Sequence, residues 1–257
     1  MRWSNSIGVF VSAILLTLKV ANAGIVITHT GANDPLSEGW SAVQTPLGAG
    51  SSVGSVVNDL GLGIDAWMTD DDSTGLSFPG YVFNPTAGQF SDATANGWKA
   101  SVNLRVVDLN DAQDSSVVFE YGDSTRRFLM EFGSDSIGNA TVQLLTGQDP
   151  GDPTIFFGPL FNVGSDGYHL YELIFDPLAG TADLFVDGVE QISDYAGDSV
   201  GTQRIAWGGL SGFGTGQGNY NFVQFETTDV PEPGSLALFV LGLAGVGFAR
   251  RRIAATA

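Results

Sequence analysis

The stretch YHLYELIFDPLAGTADLFVDGVE, residues 168–190, decides the fold. Its first eight residues alternate. Tyr168, Leu170, Glu172 and Ile174 share one face, and His169, Tyr171, Leu173 and Phe175 the other. A period of two belongs to a strand and not to a helix. A second strand, Ala182 to Val186, runs into Asp187-Gly188 and then into Val189 to Ile192. Asp-Gly accepts the positive φ values that a tight strand-matching turn demands, so the segment reads as a hairpin.

Similar runs extend outward from it. Trp98 to Leu109 puts Val102, Leu104 and Val106 on one face. Val117 to Tyr121 and Arg127 to Phe132 flank the turn Gly122–Thr125 as another hairpin. Gly24 to His29, Ala140 to Leu145, Arg204 to Trp207 and Asn219 to Glu226 add further strands. Neither a convincing amphipathic helix nor a fixed-period repeat is found. With 35 glycines and few Lys or Glu, roughly ten to twelve short strands make an all-β sandwich.

The ends have a different character. Met1-Arg2, the apolar run Ile7 to Leu18 and the small residues Ala21-Asn22-Ala23 read as a secretory signal peptide, residues 1–23. A domain over 24–228 follows. It holds five basic residues, Lys99, Arg105, Arg126, Arg127 and Arg204, against 26 acidic ones, and the whole chain carries −18. Such a field repels phosphate backbones and excludes nucleic acid as a partner. The chain has no cysteine, which excludes thiol chemistry and cysteine metal sites. Near the end, Pro231 and Pro233 stop the last strand. Ser235 to Ala249 is uncharged but falls short of the roughly 20 residues that span a bilayer. Gly242, Gly245 and Gly247 permit close helix packing. Arg250, Arg251 and Arg252 stay on the cytoplasmic side, and residues 253–257 form a short tail.

The acidic stretch DAWMTDDDS, residues 65–73, offers hard oxygen ligands of the kind Ca²⁺ takes. Read blandly it is a solvated loop. Read as a metal site, alternation points Asp70 and Asp72 to one side, with Asp65 as third ligand. Asp108, Asn110 and Asp114 form a second oxygen-rich loop with the same two readings. NDPLSEGW, residues 33–40, reads as a turn with Trp40 packed on a sheet. His169 reads as a strand residue at the sheet surface. No Gly-x-Ser-x-Gly elbow and no His-x-x-x-His pair occurs. Trp67, Trp98, Trp207, Tyr195 and Tyr220 are the candidates for stacking on sugar rings, although most Trp in a sandwich belong to the core.

Two resemblances add to this reading. Tyr168 to Glu190, with the closing GNYNFVQFE of residues 218–226, resembles the laminin-G and concanavalin A-like lectin/glucanase family. The resemblance implies a jelly-roll β-sandwich of two antiparallel sheets. Glucanases of that superfamily carry Glu-x-Asp-x-x-Glu or Glu-x-Asp-x-Glu on one strand, and this chain lacks both spacings. A non-catalytic domain is therefore expected. Val230-Pro231-Glu232-Pro233, the apolar segment and the basic end, residues 229–252, resemble the PEP-CTERM sorting signal of Gram-negative bacteria. That implies a C-terminal hydrophobic helix, with Pro231, Glu232 and Pro233 read by exosortase, a membrane protease-transpeptidase. The expectation is an exported cell-surface or extracellular-matrix protein that binds glycan or exopolysaccharide, with or without Ca²⁺. The alternatives are an adhesive matrix protein without a small ligand and a glycan hydrolase.

Overall fold

A computed structural model describes residues 24–72, 77–107, 116–146, 157–199, 202–210 and 214–228. The signal peptide, the loop of Asp108, Asn110 and Asp114, and the C-terminal segment with Pro231, Glu232, Pro233 and Arg250–Arg252 lie outside the described residues.

In chain order the strands are β1 (Gly24–Thr30), β2 (Ser41–Ala42), β3 (Ser52–Asp59), β4 (Ile64–Asp71), β5 (Gly80–Phe83), β6 (Trp98–Val106), β7 (Val117–Gly122) and β8 (Arg127–Ser134). They continue with β9 (Ala140–Leu145), β10 (Phe157–Asn162), β11 (His169–Asp176), β12 (Thr181–Val186), β13 (Val189–Tyr195), β14 (Arg204–Gly209) and β15 (Gly216–Thr227). The larger sheet runs β13-β12-β11-β6-β15-β4-β3, with β1 also paired to β15, and the smaller runs β10-β9-β8-β7-β14-β5-β2. Among the described residues every strand pairing is antiparallel. This is the two-sheet sandwich that the alternating sequence demands.

The core lies between the sheets in two aromatic clusters. Trp98 of β6 packs on Tyr121, Phe128, Phe175 and Phe225. Trp207 of β14 packs on Tyr81, Trp40, Tyr220 and His29. Each cluster draws rings from both sheets, so it clamps them face to face. Residues 33–40 form the expected turn. Asp34 caps a 3₁₀ turn over Pro35–Glu38, Gly39 takes φ +98°, and Trp40 is buried with its Nε1 donating to the Thr28 carbonyl. Asp187 and Gly188 both have positive φ, at 50° and 78°, as the hairpin reading required.

Three expectations are corrected. Residues 65–71 of the acidic stretch lie in β4 rather than in a loop. Asp71 is buried in it and accepts hydrogen bonds from Ser51 Oγ and Ser116 Oγ, which is how a strand tolerates that carboxylate. His169 is not on the sheet surface. Its face, shared with Tyr171 and Leu173, is the inner one, and it is 8 % exposed. A helix α1 (Ala87–Asn96) follows β5, held by a capping box in which Thr86 and Gln89 bond each other's backbone. Its Thr-x-x-Gln signal was in the sequence.

The long strand β15 carries an irregularity. Tyr220 pairs with Leu104 of β6, yet Phe222 pairs with the next residue, Asn103, leaving Asn221 as an extra residue. On its other edge β15 pairs with β4 as far as Tyr220 and with β1 from Phe222 onward. The bulge therefore sits where β4 gives way to β1. Gly31 fills that junction. Its N–H donates to the Asn221 carbonyl at 2.7 Å, and a Cβ there would lie 2.5 Å from Asp65 O and 2.6 Å from Ala66 Cα. Gly31→Ala should destabilise the domain by about 2 kcal/mol, measured as a lowered urea midpoint with an unchanged slope.

Candidate functional site

Antiparallel register stacks side chains into rungs across the outer face of the larger sheet. One rung reads Leu170 (β11), Asn103 (β6), Phe222 (β15) and Thr30 (β1). These residues, with Gly31, Ala32, Asp65 and Asn221, line a groove of about 550 Å³. The bulge makes it. Before Asn221 the core-facing residue is Tyr220, and after it Val223 and Phe225, so Phe222 turns outward. Asn221 Nδ2 donates to the Asp65 carbonyl at 2.8 Å. Asn103 Oδ1 is buried and has no hydrogen-bond donor among the described residues. A buried acceptor without a partner is uncommon in a native fold.

Adjacent β6 and β15 positions carry Arg105 and Asn219, which pair with each other. With Tyr168, just before β11, they hold Asp59 at the end of β3. Arg105 donates to it twice at 2.9 Å, and Tyr168 and Asn219 once each at 2.8 Å. Burial pushes the Asp59 carboxyl up. The bonds from Asn219, Tyr168 and Arg105 outweigh that and hold it below the usual carboxylate range. This cluster ties the end of β3 to β6, to β15 and to the residue before β11.

The expected site residues fare differently. Asp65 lines the groove. Asp65 and Asp70 are five residues apart on β4, about 16 Å at strand rise, so Asp65, Asp70 and Asp72 do not converge. Among the described residues no group of three His, Asp or Glu side chains is placed to hold a metal. Trp98, Trp207, Tyr195 and Tyr220 are core residues, between 0 % and 4 % exposed. Trp67 is half-buried and donates its indole N–H to Tyr81 Oη at 2.8 Å. The sequence reading missed Asn103, Asn221 and Phe222 as site residues. Only the broken parity of Tyr220-Asn221-Phe222-Val223 could have signalled them.

Comparison with known proteins gives two results. Residues 229–252 match the PEP-CTERM protein-sorting motif, so the tail carries a sorting signal. Among solved structures, a carbohydrate esterase from Shiga toxin-encoding bacteriophage phi24B is similar over 81 % of this chain and 100 % of its own, with a TM-score of 0.57 at 12 % identity. A Shewanella oneidensis MR-1 protein is similar over 88 % of this chain and 97 % of its own, at 9 % identity and a TM-score of 0.47. The binding domain of botulinum neurotoxin DC, in complex with SialylT, gives 84 % and 50 %, at 8 % identity and 0.46, so this chain spans half of it. At such identities the likeness is of fold alone. No match to a curated protein is found.

Removing Asp59 leaves the Arg105 guanidinium poorly solvated without its counter-charge. Asp59→Ala should cost about 3 kcal/mol, read from chemical denaturation. Because the folded carboxyl lies below its unfolded value of about 3.9, its contribution is present above that pH. It is lost as pH falls through the folded value. The stability gap between the parent and Asp59→Asn should therefore shrink on acidification below about pH 4.

Proposed function

We propose that this chain is an exported surface or matrix protein of a Gram-negative bacterium whose sandwich domain binds neutral glycans in the groove over Asn103. The sorting motif supports the export reading. Exosortase is then the partner that reads Pro231, Glu232 and Pro233, and the segment 235–249 holds the chain at the membrane during sorting.

The unpartnered Asn103 Oδ1 carries the ligand reading. A sugar hydroxyl supplies the donor that this oxygen lacks. Around it Thr30, Asn221 and Asp65 offer further hydroxyl-reading groups, and Phe222 and Leu170 offer an apolar surface for ring C–H groups. Charge narrows the class of glycan. Each of the domain's five basic residues is already engaged. Lys99 pairs with Glu226 and Glu172, Arg105 with Asp59, Arg127 with Asp198 and Arg204 with Glu120, while Arg126 bonds the Gly180 carbonyl. No cation is left in the groove to meet a uronate or sulfate. Cleavage of a glycosidic bond needs two available carboxyl groups. Among the residues that line the groove Asp65 is the single carboxylate, which supports binding without glycosidic cleavage.

Neutral exopolysaccharide should be retained by the full-length chain in a pull-down, and acidic polysaccharide should not. Asn103→Ala and Phe222→Ala should each weaken retention at least about tenfold, equivalent to one lost hydrogen bond to a buried partner or one lost apolar contact. The thermal midpoint should stay close to the parent's. EDTA should leave retention unchanged, since one carboxylate and two amides fall short of the 6–8 oxygens Ca²⁺ takes. Retention that is equal in parent and variants would remove the groove. Association of the chain with itself, without competition by sugar, would favour the adhesive-matrix alternative.

A further inference from the structure

We propose that Ser165, His169 and Asp187 form a nucleophilic site that hydrolyses carboxylic esters of small acyl groups. The inference stands apart from the groove. It rests on the order in which three side chains are joined. Asp187 Oδ2 lies 2.7 Å from His169 Nδ1, and His169 Nε2 lies 3.3 Å from Ser165 Oγ. These are the two contacts by which a carboxylate orients an imidazole and an imidazole activates a hydroxyl.

The carboxylate decides the tautomer. Burial pushes the Asp187 carboxyl up, and the hydrogen bonds it receives from His169 and from the Leu170 N–H together outweigh that and hold it below its usual range. An ionised carboxylate only accepts, so Nδ1 carries the proton. The Nε2 lone pair then faces Ser165, which is the base the hydroxyl needs. His169 is 8 % exposed and held edge-on by Tyr171, while Ser165 is exposed on the loop between β10 and β11. That loop is tethered. The Ser165 carbonyl accepts from the Ala140 N–H at 2.8 Å, and Gly164 N–H donates to Asn162 Oδ1 at 2.8 Å. Gly164 and Gly167 flank it with φ of +81° and +104°, a conformation that favours glycine. Among the described residues the N–H groups of Ser165, Asp166 and Gly167 donate to no backbone acceptor. A purely structural role, Asp187 capping the start of β11, accounts for the Leu170 and Nδ1 bonds. It does not account for a serine hydroxyl on Nε2.

The step balances without a further reagent. Ser165 Oγ–H passes its proton to His169 Nε2 as Oγ bonds the acyl carbon. The carbon–alkoxy bond breaks, and the leaving alcohol takes the proton from Nε2. Water then gives a proton to Nε2 and its oxygen to the acyl carbon. The Oγ–acyl bond breaks, Ser165 regains its proton, and the carboxylic acid leaves. Ser165 and His169 are the catalytic residues, and Asp187 is a positioning residue.

The test treats the full-length chain with a fluorophosphonate probe and, separately, with p-nitrophenyl acetate. The expected result is a covalent label mapped by peptide mass to Ser165, and ester hydrolysis that Ser165→Ala lowers at least about 100-fold. Because Ser165 is exposed, that variant should keep the parent's thermal midpoint. Asp187→Asn should lower kcat while KM holds, a split that loss of a structural cap does not produce. No label on Ser165, or hydrolysis by Ser165→Ala at the parent's rate, overturns the proposal.

Discussion

One extra residue in β15 conditions the whole of the larger sheet. This strand is hydrogen-bonded along both edges, to β6 on one side and to β4 and then β1 on the other. Its inner face must supply Tyr220 to the Trp207 cluster and Phe225 to the Trp98 cluster. Those two positions have opposite parity, so a regular strand would send one of them to solvent. Asn221 resolves the conflict as a bulge. Its carbonyl is taken by Gly31 N–H and its side-chain amide by the Asp65 carbonyl, so the irregularity leaves these bulge groups paired. The same step turns Phe222 outward beside Asn103. The groove follows from how two aromatic clusters share a single strand.

Charge is managed with equal economy. Five cations stand against 26 acidic side chains in the domain, and each is fixed at a place where the fold needs a long-range tie. Arg105 joins β6 to the β3–β4 hairpin, Arg204 joins β14 to Glu120 of β7, and Arg127 joins the start of β8 to Asp198. Glu120 and Asp198 are each 2 % exposed, so these pairs are partly desolvated and removing one partner is costly. The surplus carboxylates leave the protein with a negative field that disfavours polyanions. On the proposed glycan-binding reading, that field disfavours an anionic ligand in the outer-face groove.

The sequence made the fold class and most central strands legible because alternation is a local property. β9 matches its expected bounds, and β11 and β12 fall within a residue of theirs. What escaped is what alternation does not encode. β4 looked like a loop because IDAWMTDD carries three carboxylates; its ladders with β3 and β15, and the hydroxyls of Ser51 and Ser116 that bond Asp71 from 20 and 45 residues away, come from parts of the chain that no local pattern reveals. β3, β5 and β10 are short or glycine-bearing runs whose pairing is set by partners distant in the chain. The Trp candidates were identified by residue type, and residue type alone does not tell which face of a sheet is wet. The groove depends on register between β1, β6, β11 and β15, a relation among residues 30, 103, 170 and 222 with no local signature.

Tyr168, His169 and Leu170 show how closely two chemistries can sit when a strand separates them. Tyr168 and Leu170 point to the outer face, one onto Asp59 and the other into the groove, while His169 between them points inward to Asp187. The Leu170 N–H also bonds Asp187, and the Asp187 N–H bonds the Leu170 carbonyl at 2.8 Å. The hairpin turn that orients the imidazole is thus pinned to the backbone that carries a groove residue. A change in the backbone at Leu170 is therefore felt on both faces. A change of side chain at Asn103 or Phe222, outward-facing and on other strands, reaches His169 only through the sheet. Strand alternation insulates the two faces at the side-chain level while their hydrogen-bonded backbone joins them.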